Sequence, residues 1–245
     1  MKLDTIKKLH QKKHRIEQGC FLVEGEHLIL ELDKAAQTNA LLKAAKVYVS
    51  ESFGHITTSL EQVVISDKQM QKISDTKSPQ GIAAVVPLDA VHSQTVHHTM
   101  KKSMRTIYLH EVQDPGNLGT ILRTLAWFGG FNCVLSPNSV DPFNPKVVRA
   151  SMGAIFHVPI ETDVTLLDLQ TQFKQFACLD IKGQTLSSPE FNDHLCFIFG
   201  NEARGVPREE LNALNAQSFS IQGNGVLESL NLATAVNMCA YELNR

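Results

Sequence analysis

The sequence predicts an α/β protein made of two units, a smaller one over residues 1–88 and a larger one over 105–245. Three observations lead there. Short apolar runs of strand length alternate with stretches of helical periodicity, first over 20–87 and again from Arg105. Between them residues 92–103 read HSQTVHHTMKKS, polar and aperiodic, which makes 89–104 the linker. In the larger unit, helices alternate with the strand-like runs, which argues a mostly parallel sheet covered on both faces.

In the smaller unit Phe21–Val23 is the first predicted strand. Glu26–Ala36 is a helix with Leu28, Leu32 and Ala35 on one side, and Val47–Val49, Val63–Ile65 and Ile82–Val86 are further strands. In the larger unit strands are expected at Ile107–Leu109, Cys133–Leu135, Phe176–Leu179, Cys196–Phe199 and Phe219–Ile221. Cys133, Cys178 and Cys196 lie inside such runs. The five cysteines are odd in number and lack a CxxC pair, so they read as buried reduced thiols of a cytoplasmic protein. No apolar run reaches the roughly 18 residues of a membrane span, and the basic N-terminus lacks the apolar core of a secretory signal.

Net charge is only −2, but it is unevenly distributed. Residues 1–104 carry 14 Lys and Arg against 11 Asp and Glu, whereas residues 105–245 carry 9 against 14. The first 16 residues hold Lys2, Lys7, Lys8, Lys12, Lys13 and Arg15 against Asp4 alone. Such a segment either tracks phosphates or forms a solvated helix face.

In an open parallel sheet, ligands collect beyond the carboxyl ends of the strands, so the loops there are the candidate site. The first, Leu109–Phe128, is LHEVQDPGNLGTILRTLAWF. Asn117 is expected to cap a helix with core stripe Leu118, Ile121, Leu122, Leu125 and Phe128, ended by Gly129-Gly130. Gly116, Gly119 and Arg123 share a face, bare until the guanidinium. The second, Phe197–Pro207, is FIFGNEARGVP; Val206-Pro207 stands where a phosphate loop needs Lys-Ser/Thr, which argues against nucleoside triphosphates. The third, Ser220–Met238, places Gly223 and Gly225 before a final helix, with Ser229 as its expected cap and Asn231 in its first turn. Taken singly, each loop also reads as plain turn-and-cap chemistry.

Together and in this order, GNLGTILRT (116–124), FIFGNEARG (197–205) and ESLNLATAV (228–236) resemble the three motifs of the SpoU (TrmH-like) RNA 2′-O-ribose methyltransferases of the SPOUT superfamily. NPKVVRASMGAIFHVP (144–159) is similar to the family's region between the first two motifs. Residues 5–31, including FLVEGEHLILE, resemble the start of the L30e-like substrate-binding domain found ahead of the catalytic domain in many members. The chain departs from the pattern at Gln222, where members commonly have Pro.

The resemblance implies a knotted parallel-sheet catalytic domain, a homodimer and S-adenosylmethionine as cofactor, with no metal. It places cofactor contacts at Gly200, Ile221 and Leu230, and the catalytic face at Asn117, Arg123, Glu202, Ser229 and Asn231. Arg123 would clamp the target hydroxyl or the adjacent phosphate and stabilise the developing alkoxide, Asn117 and Asn231 would orient Arg123 and the ribose, and Glu202 would hold the arginine or its loop. Lys7, Lys8, Lys12, Lys13 and Arg15 are the candidate RNA contacts. Ribosomal RNA is the expected substrate, ahead of transfer RNA. An RNA-binding protein without catalysis is the competing class. A dinucleotide oxidoreductase would need a GxGxxG after a first strand, which neither unit has.

Overall fold

The computed structural model describes residues 1–92, 104–227 and 229–245. Most of the expected linker therefore lies outside the described residues. The chain forms two compact units, Met1–Gln94 with Asp141–His157, and Thr95–Val140 with Val158–Arg245. This differs from the expected boundaries at one place, because Asp141–His157 packs within the first unit.

The first unit begins with two short helices, α1 (Leu3–Lys8) and α2 (Lys12–Gln18), the latter ended by left-handed Gly19. Strand β1 (Cys20–Glu24) leads to α3 (Glu26–Thr38) and a 3-10 turn at Ala40–Ala44. Then come β2 (Lys46–Ser50), β3 (Glu61–Ile65), α4 (Asp67–Ile73), β4 (Ile82–Pro87) and the helical turn α5 (Asp89–His92). Helix α4 starts on a capping box between Ser66 and Gln69. The sheet order is β1-β4-β2-β3, with only β2 and β3 parallel. Ile6, Leu9, Leu22, Tyr48, Met70 and Val85 form its core on one face.

The segment from Asp141 is bound into this unit by specific contacts. Phe143 stacks against Phe21 with centroids 4.9 Å apart. Gly153, at φ +93°, lies so close to Glu31 that an added Cβ would come within 2.6 Å of its Cβ. Arg15 is the main tie. It is 3% exposed, donates to Leu9 O at 2.7 Å, and forks onto the Asp141 carboxylate through Nη2 and, at 3.0 Å, Nε. This overturns the expectation that Arg15 contacts RNA, since its guanidinium is consumed inside the fold. Lys7, Lys8, Lys12 and Lys13 are exposed, as an RNA-facing role requires.

In the second unit the strands are β5 (Arg105–Leu109), β6 (Phe131–Leu135), β7 (Ile160–Glu161), β8 (Phe176–Thr185), β9 (Cys196–Phe199) and β10 (Gln217–Ser220). They form one wholly parallel sheet in the order β10-β8-β9-β5-β6-β7. The two-residue edge strand β7 was not foreseen, because so short a run carries no period. Helices α6 (Pro115–Phe128), α8 (Leu166–Leu169), α9 (Pro189–Asn192), α10 (Arg208–Ala213) and α11 (Leu232–Glu242) belong here, while α7 (Pro145–Ser151) lies in the Asp141–His157 segment. Helices α6 and α11 pack together, with Thr124 Oγ1 donating to Asn237 Oδ1 at 2.5 Å. Tyr108, Val134, Cys178, Cys196 and Ile198 pack with Leu166, Leu169, Leu211 and Leu214.

The expected thiols are unpaired, and those at 133, 178 and 196 are buried. Burial pushes the Cys133 and Cys178 thiols up to about 12, so they stay protonated and inert. One glycine escaped notice in the sequence. Pairing of β8 with β10 jumps from Cys178 to Gln184 between Ser218 and Phe219, and there a Cβ on Gly183 would stand 2.4 Å from Ser218 O. Only a residue without a side chain allows two backbones to pass so closely.

Candidate active site

The loop after β5 turns into α6 through Pro115, at the first turn, where its missing N–H costs nothing. The cap is Asp114, whose carboxylate accepts from Asn117 N–H at 2.7 Å, and not Asn117 itself. A carboxylate at that position meets the positive end of the helix and outcompetes the amide. The Asn117 side chain is thereby released. Its Nδ2 donates to Glu202 Oε1 at 3.0 Å, and its Oδ1 accepts from Asn231 Nδ2 at 2.8 Å. Asn231 caps α11, taking Thr234 N–H at 3.2 Å, so the cap expected at Ser229 falls two residues later and Ser229 is exposed.

One hydrogen-bonded chain, Glu202–Asn117–Asn231, thus joins the loops after β5, β9 and β10. Arg123 is not part of it. It stands six positions beyond Asn117 on the helix, which is about 9 Å along the axis and about a third of a turn around it. Its side chain is exposed, and among the described residues none bonds it. The expected orientation of Arg123 by Asn117, Asn231 and Glu202 is therefore not made by direct hydrogen bonds.

The loop after β9 is built by Asn201, a residue the sequence reading passed over. It is buried, pairs with Gly205 through N–H to O bonds of 3.0 and 2.8 Å, and takes the N–H groups of Ala203 and Arg204 on Oδ1. Its signal was available, because Asn bonding the backbone two and three residues on is a common turn device. Gly200 is required by the same turn: a Cβ there would meet Gly205 C at 2.5 Å. Its bareness serves the loop's own closure, whatever ligand lies beyond.

Facing this turn, Glu111 adopts a left-handed φ of +48°. Its N–H donates to Ser136 Oγ at 2.6 Å, its carbonyl accepts from Asn201 Nδ2 at 2.8 Å and Gln113 Nε2 at 3.0 Å, and its carboxylate takes Arg204 Nη2 at 2.6 Å.

After β10 the chain runs through Gln222, Gly223, Asn224 and Gly225 to the apolar pair Val226 and Leu227. Within 222–227 the hydrogen bond formed among the described residues is Val226 N–H to Asn224 Oδ1, at 3.1 Å. Val226 and Leu227 are each 78% exposed, and Leu230 is exposed beside them. Ile221 is partly buried. Uncommitted amides and carbonyls next to open apolar side chains suit a ligand that is part flat and apolar, part polar, as an adenosyl group is. Among the described residues no helix is long and apolar enough to cross a membrane.

A parallel sheet whose carboxyl-edge loops interlock beside a helix-borne arginine defines an α/β enzyme acting at that edge. Residues 104–241 match the SpoU rRNA Methylase family, residues 2–84 match the MRM3-like substrate binding domain, and the chain belongs to the SpoU family. It is 28% identical to the 23S rRNA (guanosine(2553)-2′-O)-methyltransferase RlmP of Bacillus subtilis, over 99% of this chain and 95% of that one. A TrmH-family protein from Porphyromonas gingivalis has a similar structure, with TM-score 0.80 and 28% identity, covering 99% of this chain and 96% of that one. AviRb from Streptomyces viridochromogenes, solved with AdoMet, gives TM-score 0.81 over 98% of this chain and 96% of its own. At 18% identity that likeness is one of fold.

Proposed function

We propose that this protein transfers a methyl group from S-adenosylmethionine to a ribose 2′-hydroxyl of ribosomal RNA, in the cytoplasm. The Glu202–Asn117–Asn231 chain carries this reading, because it assembles the family's three motifs into one polar surface at the ligand edge of the sheet. The RNA specified in the name of RlmP supports ribosomal RNA as the substrate class.

Gly200, Ile221 and Leu230, with the open loop before Leu230, would hold the cofactor. When bound, S-adenosylmethionine supplies an electrophilic methyl group on a sulfonium, whose departure leaves a neutral product and calls for no metal. The protein's own residues align the hydroxyl and hold its oxygen, whose proton leaves late in the transfer, to solvent water. A guanidinium offers donors and no acceptor, so Arg123 serves as a donor that stabilises the oxygen as negative charge develops. Asn117, held from both sides, and Asn231 present fixed amides to the ribose, and Glu202 anchors Asn117. Ser229 stands exposed between the last loop and α11 as a further hydroxyl contact. Residues 1–88 would grip the RNA, with Lys7, Lys8, Lys12 and Lys13 toward its phosphates.

The second unit would also pair with a copy of itself. Trp127 is 84% exposed on α6, and Met238 and Tyr241 are exposed on α11, which packs on α6. Aromatic and Met side chains in the open on adjoining helices suit an interface. Light scattering at micromolar concentration is expected to give twice the chain mass; a monomer would remove the claim.

The function itself is tested by mapping 2′-O-methyl groups in total RNA from cells with and without the protein. One ribosomal RNA position is expected to lose its methyl group. An unchanged map, together with no S-adenosylmethionine binding by calorimetry, would overturn the reading.

A further inference from the structure

We propose that Arg204 binds a phosphate of the acceptor RNA next to the site, and that Glu111 holds it in position to do so. This rests on the RNA-methylation reading above.

The turn closed by the Asn201–Gly205 pair presents two charged side chains, Glu202 and Arg204. Glu202 goes to Asn117, in the polar chain of the site, and Arg204 goes to Glu111 at the end of β5. Arg204 thus lies two residues from a member of that chain, on the edge where ligands of a parallel sheet collect. Its side chain is 71% exposed, and among the described residues it is engaged through Nη2 alone. Among the described residues the rest of its fork of donors takes no partner, in the planar geometry that matches a phosphodiester.

The support behind this arginine exceeds what an ordinary surface ion pair receives. Glu111 is held in a left-handed conformation that a residue with a side chain seldom adopts, fixed by Ser136, Gln113 and Asn201 through its backbone. The Arg204 N–H is itself fixed by Asn201 Oδ1 at 3.1 Å. Exposed pairs contribute little stability, so strain retained around one is better explained by the aim it gives to the guanidinium.

Charge points the same way. Residues 105–245 carry 9 basic against 14 acidic residues, a surface that repels RNA unless cations stand at the point of contact. Several of those cations are already committed: Arg105 to Leu243 O at 2.9 Å, Arg208 to Asp180, and Arg245 to Glu242. Among the described residues Arg123, on α6, and Arg204, on the loop after β9, remain at the site. Arg123 has been assigned the hydroxyl, which leaves Arg204 for the neighbouring phosphate.

Wild type, Arg204→Ala, Arg204→Lys and Glu111→Gln are compared on ribosomal RNA purified from cells lacking the protein, across a range of salt. Arg204→Ala is expected to raise KM for RNA about tenfold, as for a lost charge-assisted pair. Its kcat and S-adenosylmethionine affinity should stay within twofold of wild type. The slope of log RNA affinity against log salt should fall by about 0.7, one single-strand phosphate contact. Arg204→Lys should restore the slope without the full affinity, and Glu111→Gln should keep the slope because the cation remains. If Arg204→Ala leaves KM and slope unchanged, or weakens cofactor and RNA binding together at constant slope, the pair is a loop staple and the proposal fails alone. If wild type transfers no methyl group, the functional reading falls and takes this proposal with it.

Discussion

Arg123→Ala is expected to lower methyl transfer to ribosomal RNA by about a thousandfold while leaving S-adenosylmethionine binding within twofold. The magnitude is that of removing one preorganised donor to a developing oxyanion. The separation of effects follows from the geometry. Arg123 is exposed on α6, outside the Glu202–Asn117–Asn231 chain, so its loss leaves the interlock of the three loops intact. Arg123→Lys should recover little, because a flexible point charge does not reproduce a planar fork. Single-turnover methylation and calorimetry on the same preparations provide the check. Turnover of the Lys variant near the wild-type level would sink the proposed role.

The second large effect concerns stability. Arg15→Ala is expected to cost about 3–5 kcal/mol, the range for removing one partner of a buried ion pair. The substitution strands the Asp141 carboxylate and Leu9 O, both now bonded by the guanidinium. Changing both partners to Met and Leu, Arg15→Met with Asp141→Leu, should recover most of the loss, since a well-packed apolar pair avoids the desolvation cost. Urea denaturation of wild type and both variants is the check. A single-variant loss below about 1 kcal/mol would show that the pair is not the tie described here. Lys7→Ala or Lys12→Ala, at exposed positions, should fall within about 0.5 kcal/mol of wild type.

These two arginines show how far a sequence reading goes. Arg15 stands in a basic run and Arg123 in an apolar helical stretch, yet the first is buried in a salt bridge and the second is exposed at the candidate site. Charge and spacing are the same kind of evidence in each case. The partner that decides Arg15, Asp141, lies 126 residues away, beyond any local pattern.

What the amino-acid sequence determined by itself is the set of elements and the chemistry offered at the loops. Alternation of apolar runs located every strand of the larger sheet except the two-residue β7, because burial on both faces leaves a mark on each residue. The three motifs named Asn117, Arg123, Glu202 and Asn231. Tertiary structure decided which of them meet. Asp114 displaced Asn117 from the cap and freed it to join Glu202 and Asn231. It also decided that Asp141–His157 folds with the first unit, that Gly183 and Gly200 are demanded by neighbouring backbone, and that Glu111 is held left-handed and paired with Arg204. Local propensity arises within a turn or two of chain, whereas each of these outcomes depends on close contacts between segments far apart in sequence, which exist only once the sheet has brought them together.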